Sequence, residues 1–205
     1  MKRRTLLLLA TLTLAPAAVA GLLGARSDRM RSGVFEPARA APEFVLRGSD
    51  DTRVTLERFR GKVIILEFGF THCPSICPVT LANLSKVFRE LGPDARAVQL
   101  IFVTVDPKRD TVERLREYLG IFNPAFIGAT GPSSEVSAVA RELEAVRRAY
   151  GVLAREESGE GSDGYQVHHS SSLYLIDRQG LLRGLVPFGK PAADIVHDVR
   201  LLLAQ

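Results

Sequence analysis

Val63-Ile64-Ile65-Leu66-Glu67-Phe68, followed closely by Thr71-His72-Cys73-Pro74-Ser75-Ile76-Cys77-Pro78, decides how this chain is read. The first stretch is a nearly continuous apolar run of strand length, and it predicts a buried strand. The second carries the only two cysteines of the 205 residues. A strand feeding a loop with two thiols is a setting for soft-metal binding or thiol redox chemistry. With no third cysteine, these two pair with each other, bind a metal together or stay free.

Working outward, Leu81, Leu84, Phe88 and Leu91 recur at helical spacing until Gly92-Pro93 stops the pattern. Residues 98–105 predict a second apolar strand, closed by Asp106-Pro107. Asp110 and Glu113 are spaced as a capping box, which starts a helix carrying Leu115 and Leu119. Pro132-Ser133 is expected to open another helix, with Val136, Val139, Leu143 and Val146 on one face and Gly151 at its end. The polar, glycine-rich residues 156–164 read as a loop. Leu173 to Ile176 and Leu181 to Val186 flank Asp177-Arg178-Gln179-Gly180, a hairpin signal, and Pro191 suits the first turn of a last helix with Ile195, Val199 and Leu202. Upstream, Phe44-Val45-Leu46 and Val54-Thr55-Leu56 flank the turn Gly48-Ser49-Asp50-Asp51. Strand, helix and parallel strand, then helices, an antiparallel hairpin and a final helix, give an α/β thioredoxin-like sandwich with an N-terminal β-hairpin extension. The expected domain covers residues 42–205.

Residues 5–25 form an uncharged run behind Lys2, Arg3 and Arg4. At roughly 1.5 Å per residue such a run crosses a hydrocarbon core of roughly 30 Å, so residues 1–25 read as a membrane anchor. Ala18-Val19-Ala20 also offers a cleavage site for a signal sequence. In either case the basic start predicts an exported body. Residues 26–41, rich in Arg, Ser, Gly and Pro, read as a linker between membrane and domain. The three basic residues at the start supply three of the net +4 charges, leaving about +1 elsewhere, so the charge gives no argument for a nucleic-acid partner.

Two cysteines four residues apart bring both sulfurs to one side of a loop or first helical turn. Near a helix N-terminus a thiolate has a lowered pKa, which favours both metal binding and redox attack. Soft Cu(I) prefers thiolate sulfur and imidazole also suits copper, so a mixed site accommodates Cu(I) or Cu(II). The chain has four histidines, His72, His168, His169 and His197. His72 adjoins Cys73, where joint chelation is awkward, and His197 reads as part of a solvated helix face. His168 and His169 stand at the entrance to a strand and point to opposite faces, so one of them is expected to reach the cysteines. Zinc is the competing metal, but a structural zinc site needs a fourth protein ligand. Asp106, at the C-terminal end of a strand beside the cysteine loop, is either a site residue or a turn former before proline.

Phe70-Thr71-His72-Cys73-Pro74 through Cys77-Pro78, Val105-Asp106-Pro107 with Arg109-Asp110-Thr111, and Tyr165-Gln166-Val167 leading into His169-Ser170 resemble the Sco/SenC/PrrC proteins. Phe126-Ile127-Gly128 and Tyr174-Leu175-Ile176-Asp177 extend the resemblance, which runs in order from about Ala41 to Gln205. It implies a membrane-anchored, copper-binding thioredoxin fold that assists assembly of the copper A centre in cytochrome c oxidase subunit II. It implies Cys73, Cys77 and His169 as the copper ligands and Asp106 as an acidic residue near the site. Ser75 and His168 stand where the family commonly has Asp. The implied function is a copper metallochaperone, with other copper chaperones as further candidate partners. Its place is the bacterial inner membrane with the domain facing the periplasm, or secretion after signal cleavage. The alternative is a thiol–disulfide reductase that keeps the partner's copper-site cysteines reduced, with Cys73 and Cys77 as the redox pair. Thr71 near the first cysteine also admits a peroxidase related to the peroxiredoxins. The loop at residues 156–164 is expected to let His169 move in and out of the site.

Overall fold

A computed structural model describes residues 29–131, 133–158 and 164–205. In chain order the elements are β1 (Gly33–Ala40), β2 (Leu46–Gly48), β3 (Arg53–Val54), β4 (Val63–Gly69), α1 (Ile76–Leu91), β5 (Val98–Thr104) and α2 (Val112–Phe122). They continue with β6 (Ile127–Thr130), α3 (Val136–Tyr150), β7 (Ala154–Ser158), β8 (Tyr165–His169), β9 (Leu173–Ile176), β10 (Leu181–Val186) and α4 (Ala192–Leu203).

Eight strands form one sheet in the order β1-β10-β9-β4-β5-β6-β2-β3. β4, β5 and β6 run parallel at its centre, and β9 joins β4 antiparallel. All seven residues of β4 are buried, because helices cover both faces of the sheet there. Alternation divides the strand: Val63 and Ile65 pack with α1, α2 and α4, whereas Ile64, Leu66 and Phe68 pack with α3. On the α3 side Phe68, Tyr150 and Tyr174 form an aromatic cluster, with centroids 5.3–5.9 Å apart. The Tyr174 hydroxyl donates to the Tyr150 carbonyl, and the Tyr150 hydroxyl donates to the Pro42 carbonyl, both at 2.8 Å. This is the thioredoxin-like arrangement expected, and the β2–β3 hairpin forms around the expected turn.

Several local expectations are corrected. Gly33–Ala40 lies inside the stretch read as a linker, yet it is an edge strand paired antiparallel with β10. Its side chains are exposed apart from the partly buried Phe35, so it lacks the period-two apolar signal of a half-buried strand. The register shifts between Val34 and Arg39, the segment that contains Pro37, as befits a residue without a ladder donor. The cap of α2 is Thr111, whose side chain accepts the Arg114 N–H; Asp110 is buried instead. α3 begins at Val136, and Pro132 lies outside the described residues. Pro191 is the residue before α4 rather than within its first turn. Glu156–Ser158 are paired residues of β7, while residues 159–163 lie outside the described residues, as does the run at residues 5–25. Among the described residues no helix is long and apolar enough to cross a membrane.

The entry to β1 is fastened by Asp198 of α4. Its carboxylate is fully buried and accepts the Arg31 N–H at 2.7 Å and the Ser32 N–H at 2.9 Å. Asp198→Ala leaves these backbone donors without their acceptor and is expected to cost about 1–3 kcal/mol. Urea unfolding checks this, and a midpoint equal to wild type would refute it.

Candidate metal centre

β4 delivers the chain to the cysteine loop at its C-terminal end, where the parallel strands of an open α/β sheet place their sites. Gly69 lets the loop turn close to the sheet. A Cβ there would sit 2.6 Å from the Phe102 ring and 2.9 Å from Cys77 Sγ. Thr71 is then pinned by the buried Asp110, which accepts the Thr71 N–H at 3.1 Å and its hydroxyl at 2.7 Å. Thr104 at the end of β5 donates to the same carboxylate at 2.6 Å.

α1 starts without a side-chain cap from Ser75. The Cys77 N–H, one of the orphan donors at this helix end, instead points to Cys73 Sγ at 3.4 Å. Cys73 is half-buried in the loop, and Cys77 is buried in the first turn. His169 ends β8 and brings Nε2 to 3.7 Å from Cys77 Sγ. One ligand atom from each of Cys73, Cys77 and His169 can be chosen so that all lie within 4.8 Å of one another. The Nδ1 of His169 lies 2.9 Å from the Ser170 carbonyl, a contact that makes Nδ1 an N–H and turns Nε2 toward the sulfurs. Phe70 meets the imidazole edge-on, with centroids 5.8 Å apart.

The other histidines point elsewhere. His168 is exposed and has Nε2 3.1 Å from Glu157 Oε2. His72 Nδ1 lies 3.1 Å from Thr71 Oγ1, and His197 Nε2 lies 3.2 Å from the Arg29 carbonyl. Asp106 is fully buried but contributes no atom to the three-residue cluster; its carboxylate binds Arg109 and Tyr165. Two further residues shape the site without having been singled out by pattern: Gly69 and Glu67. Glu67 is buried on β4, with Oε2 unpartnered. Burial, and then the charge of a Cys73 thiolate, push its carboxyl well above the usual range. No pattern marked either residue, because a glutamate within an apolar run and a glycine at its end are locally unremarkable.

The two thiols are pushed apart electrostatically. A hydrogen bond from the Cys77 thiol is the largest influence holding Cys73 far below the usual thiol range, with His169 and the backbone N–H groups of Cys77 and Ser75 adding to it. The same bond and burial push Cys77 up. Cys73 is therefore the thiolate and Cys77 the proton carrier. The depressed value stabilises the reduced fold fully above the unfolded thiol's pKa of about 8.5, and that stabilisation fades as pH falls toward the folded value. Alkylation of the reduced protein by iodoacetamide is expected to modify Cys73 first, at a rate nearly flat between about pH 5 and 8. A rate climbing about tenfold per pH unit across that window, as for an ordinary thiol, would contradict this reading.

A family model described as SCO1/SenC matches residues 34–204. The chain belongs to the SCO1/SenC family. A protein of Stutzerimonas stutzeri named for copper binding is 35% identical over 183 residues, covering 89% of this chain and 85% of its own length. The mitochondrial SCO2 homologue of Bos taurus is 38% identical over 69% of this chain, which spans about half (52%) of that relative. Arabidopsis thaliana ScoI, crystallised with copper bound, has a TM-score of 0.71 and 31% identity over 81% of this chain and 99% of its own. BsSco, described with a disulfide switch as a member of the Sco family of cytochrome c oxidase assembly proteins, has a TM-score of 0.66 and 25% identity over 83% of this chain and 98% of its own.

Proposed function

We propose that this Sco-family chain is a copper metallochaperone, with Cys73, Cys77 and His169 holding one copper ion as cargo. The observation that carries the reading is the convergence of two sulfurs and one imidazole nitrogen within 4.8 Å. Once Cys77 releases its proton on metal binding, two thiolates and one neutral imidazole match the preference of Cu(I) for soft donors and leave room for Cu(II). Zinc fits less well, because these three donors lack the fourth that a closed structural zinc site uses.

The arrangement suits release as well as capture. Cys77 is buried, whereas Cys73 and His169 are each half-buried, so incoming ligands reach those two donors first. Stepwise ligand exchange then passes the metal to cysteines and histidines of the recipient. The resemblance makes that recipient the copper A centre of cytochrome c oxidase subunit II, with other copper chaperones as further candidate partners. The basic, apolar N-terminal segment would tether the domain to the bacterial inner membrane, facing the periplasm.

A second reading, a thiol–disulfide reductase, is favoured by the split between the thiols. The Cys73 thiolate would attack a partner disulfide and expel one partner thiolate. Cys77 would then attack the Cys73 sulfur as its proton passes to the second departing sulfur. Two electrons reach the partner, and a Cys73–Cys77 disulfide is left. Anaerobic copper titration of the reduced protein tests the primary reading. Saturation at one equivalent is expected, and no saturable binding would remove it.

A further inference from the structure

We infer that Asp106 and Arg109, on the loop between β5 and α2, act through Tyr165 as positioning residues for His169. This inference rests on the copper reading and concerns how one ligand is held.

The hairpin that carries His169 has no place in the main sheet. Among the described residues β7 and β8 pair only with each other, so strand hydrogen bonding to the sheet does not set their position. Side chains must do so. On β8, Tyr165, Val167 and His169 face inward, while Gln166 and His168 are exposed. Tyr165 and His169 thus share one face of one strand, about 13 Å apart at about 3.3 Å per residue. Holding one end of so short and stiff a segment fixes the other.

Tyr165 is held on several sides. Its hydroxyl donates to Asp106 Oδ1 at 2.7 Å. Arg109 Nε donates to Asp106 Oδ2 at 2.5 Å, and the Arg109 guanidinium lies over the Tyr165 ring, 4.0 Å from its centroid. Lys108 sits 5.2 Å from the same ring and binds Glu156 of β7 at 2.6 Å. The base of this clamp is rigid, because Asp106 is fully buried and its N–H donates to Thr104 Oγ1 at 2.9 Å. The Asp110 N–H donates to the Asp106 carbonyl at 3.0 Å, and Asp110 in turn pins Thr71 beside the cysteines. One five-residue loop, residues 106–110, therefore anchors both halves of the metal site. A charge-assisted hydrogen bond from a phenol to a buried carboxylate is among the stronger neutral–ion contacts, and its geometry is directional.

The experiment is a double-mutant cycle on the full chain, with Tyr165→Phe and His169→Ala and with Cu(I) affinity measured against a competing chelator. Tyr165→Phe keeps the ring and removes only the hydroxyl, so the fold is retained where Asp106→Ala would empty a buried polar site. Tyr165→Phe alone is expected to weaken copper binding about tenfold, in line with one charge-assisted hydrogen bond. In the His169→Ala background the same change is expected to have no further effect, the non-additivity of residues acting through one another. In the copper-free protein, amide hydrogen exchange at residues 165–169 is expected to quicken about tenfold, while β4 and β5 keep their protection. Equal losses in both backgrounds, or unchanged affinity in Tyr165→Phe beside a weakened His169→Ala, would overturn the clamp alone. Wild-type affinity in His169→Ala would overturn the copper reading together with the role given to the clamp.

Discussion

Cys77→Ser is expected to lower Cu(I) affinity by more than about 100-fold, since outer-shell partners alone are worth about 10- to 100-fold and this change removes a donor itself. Serine replaces sulfur with a hard hydroxyl that stays protonated, and Cu(I) has little preference for it. The side chain keeps nearly its size, which matters because Cys77 is only 1% exposed and its sulfur lies close against Gly69. Any loss of fold stability should therefore stay within about 1–2 kcal/mol, and urea unfolding of the reduced protein separates it from loss of the donor. Anaerobic competition with a chelator of known affinity makes the measurement. An affinity within about tenfold of wild type would mean that copper binds elsewhere.

His169→Ala separates the two functional readings. Copper affinity is expected to fall by more than about 100-fold on the same reasoning, most visibly for Cu(II), for which imidazole is the better-suited donor. Thiol–disulfide exchange by Cys73 and Cys77 is expected to stay within about threefold of wild type. His169 helps to hold the Cys73 thiolate, so its removal lets that pKa rise, but the Cys77 thiol and the backbone donors remain. A rising pKa also makes the remaining thiolate a better nucleophile, which offsets the smaller thiolate fraction. Copper affinity by competition and exchange with a small-molecule disulfide should be measured on the same preparation. Parallel loss of both activities would tie the imidazole to the redox chemistry and remove the distinction. Unchanged copper affinity would leave the reductase reading in front.

Much of this was legible before any coordinates. The buried strand at Val63–Gly69 is visible because helices on both faces of the sheet favour an apolar run, which only Glu67 interrupts. α1 is legible from Leu81, Leu84, Phe88 and Leu91, which repeat with the turn of the helix and meet the same sheet face. The hairpin of β9 and β10 is announced by the turn between them. The thiol pair stands out because the chain has no other cysteine. Motif order supplied the family resemblance.

What stayed hidden has a common cause. β1 carries no alternation, because an edge strand lying mostly in solvent puts no demand on its side chains; its register is visible only in the β10 residues it pairs with. Asp110 has the spacing of a helix cap, yet burial and three hydroxyl and amide donors drawn from β5 and the cysteine loop claim its carboxylate. Alternation along β8 placed His168 and His169 on opposite faces without saying which face meets the sulfurs. Docking of the hairpin decided that, bringing His169 to a cysteine 92 residues away and leaving His168 against Glu157. Local sequence determined the elements and the kind of donors, because periodicity and composition report burial along one segment. The site itself was decided by tertiary structure, because a metal-sized gap between donors is set by contacts between segments that share no local pattern.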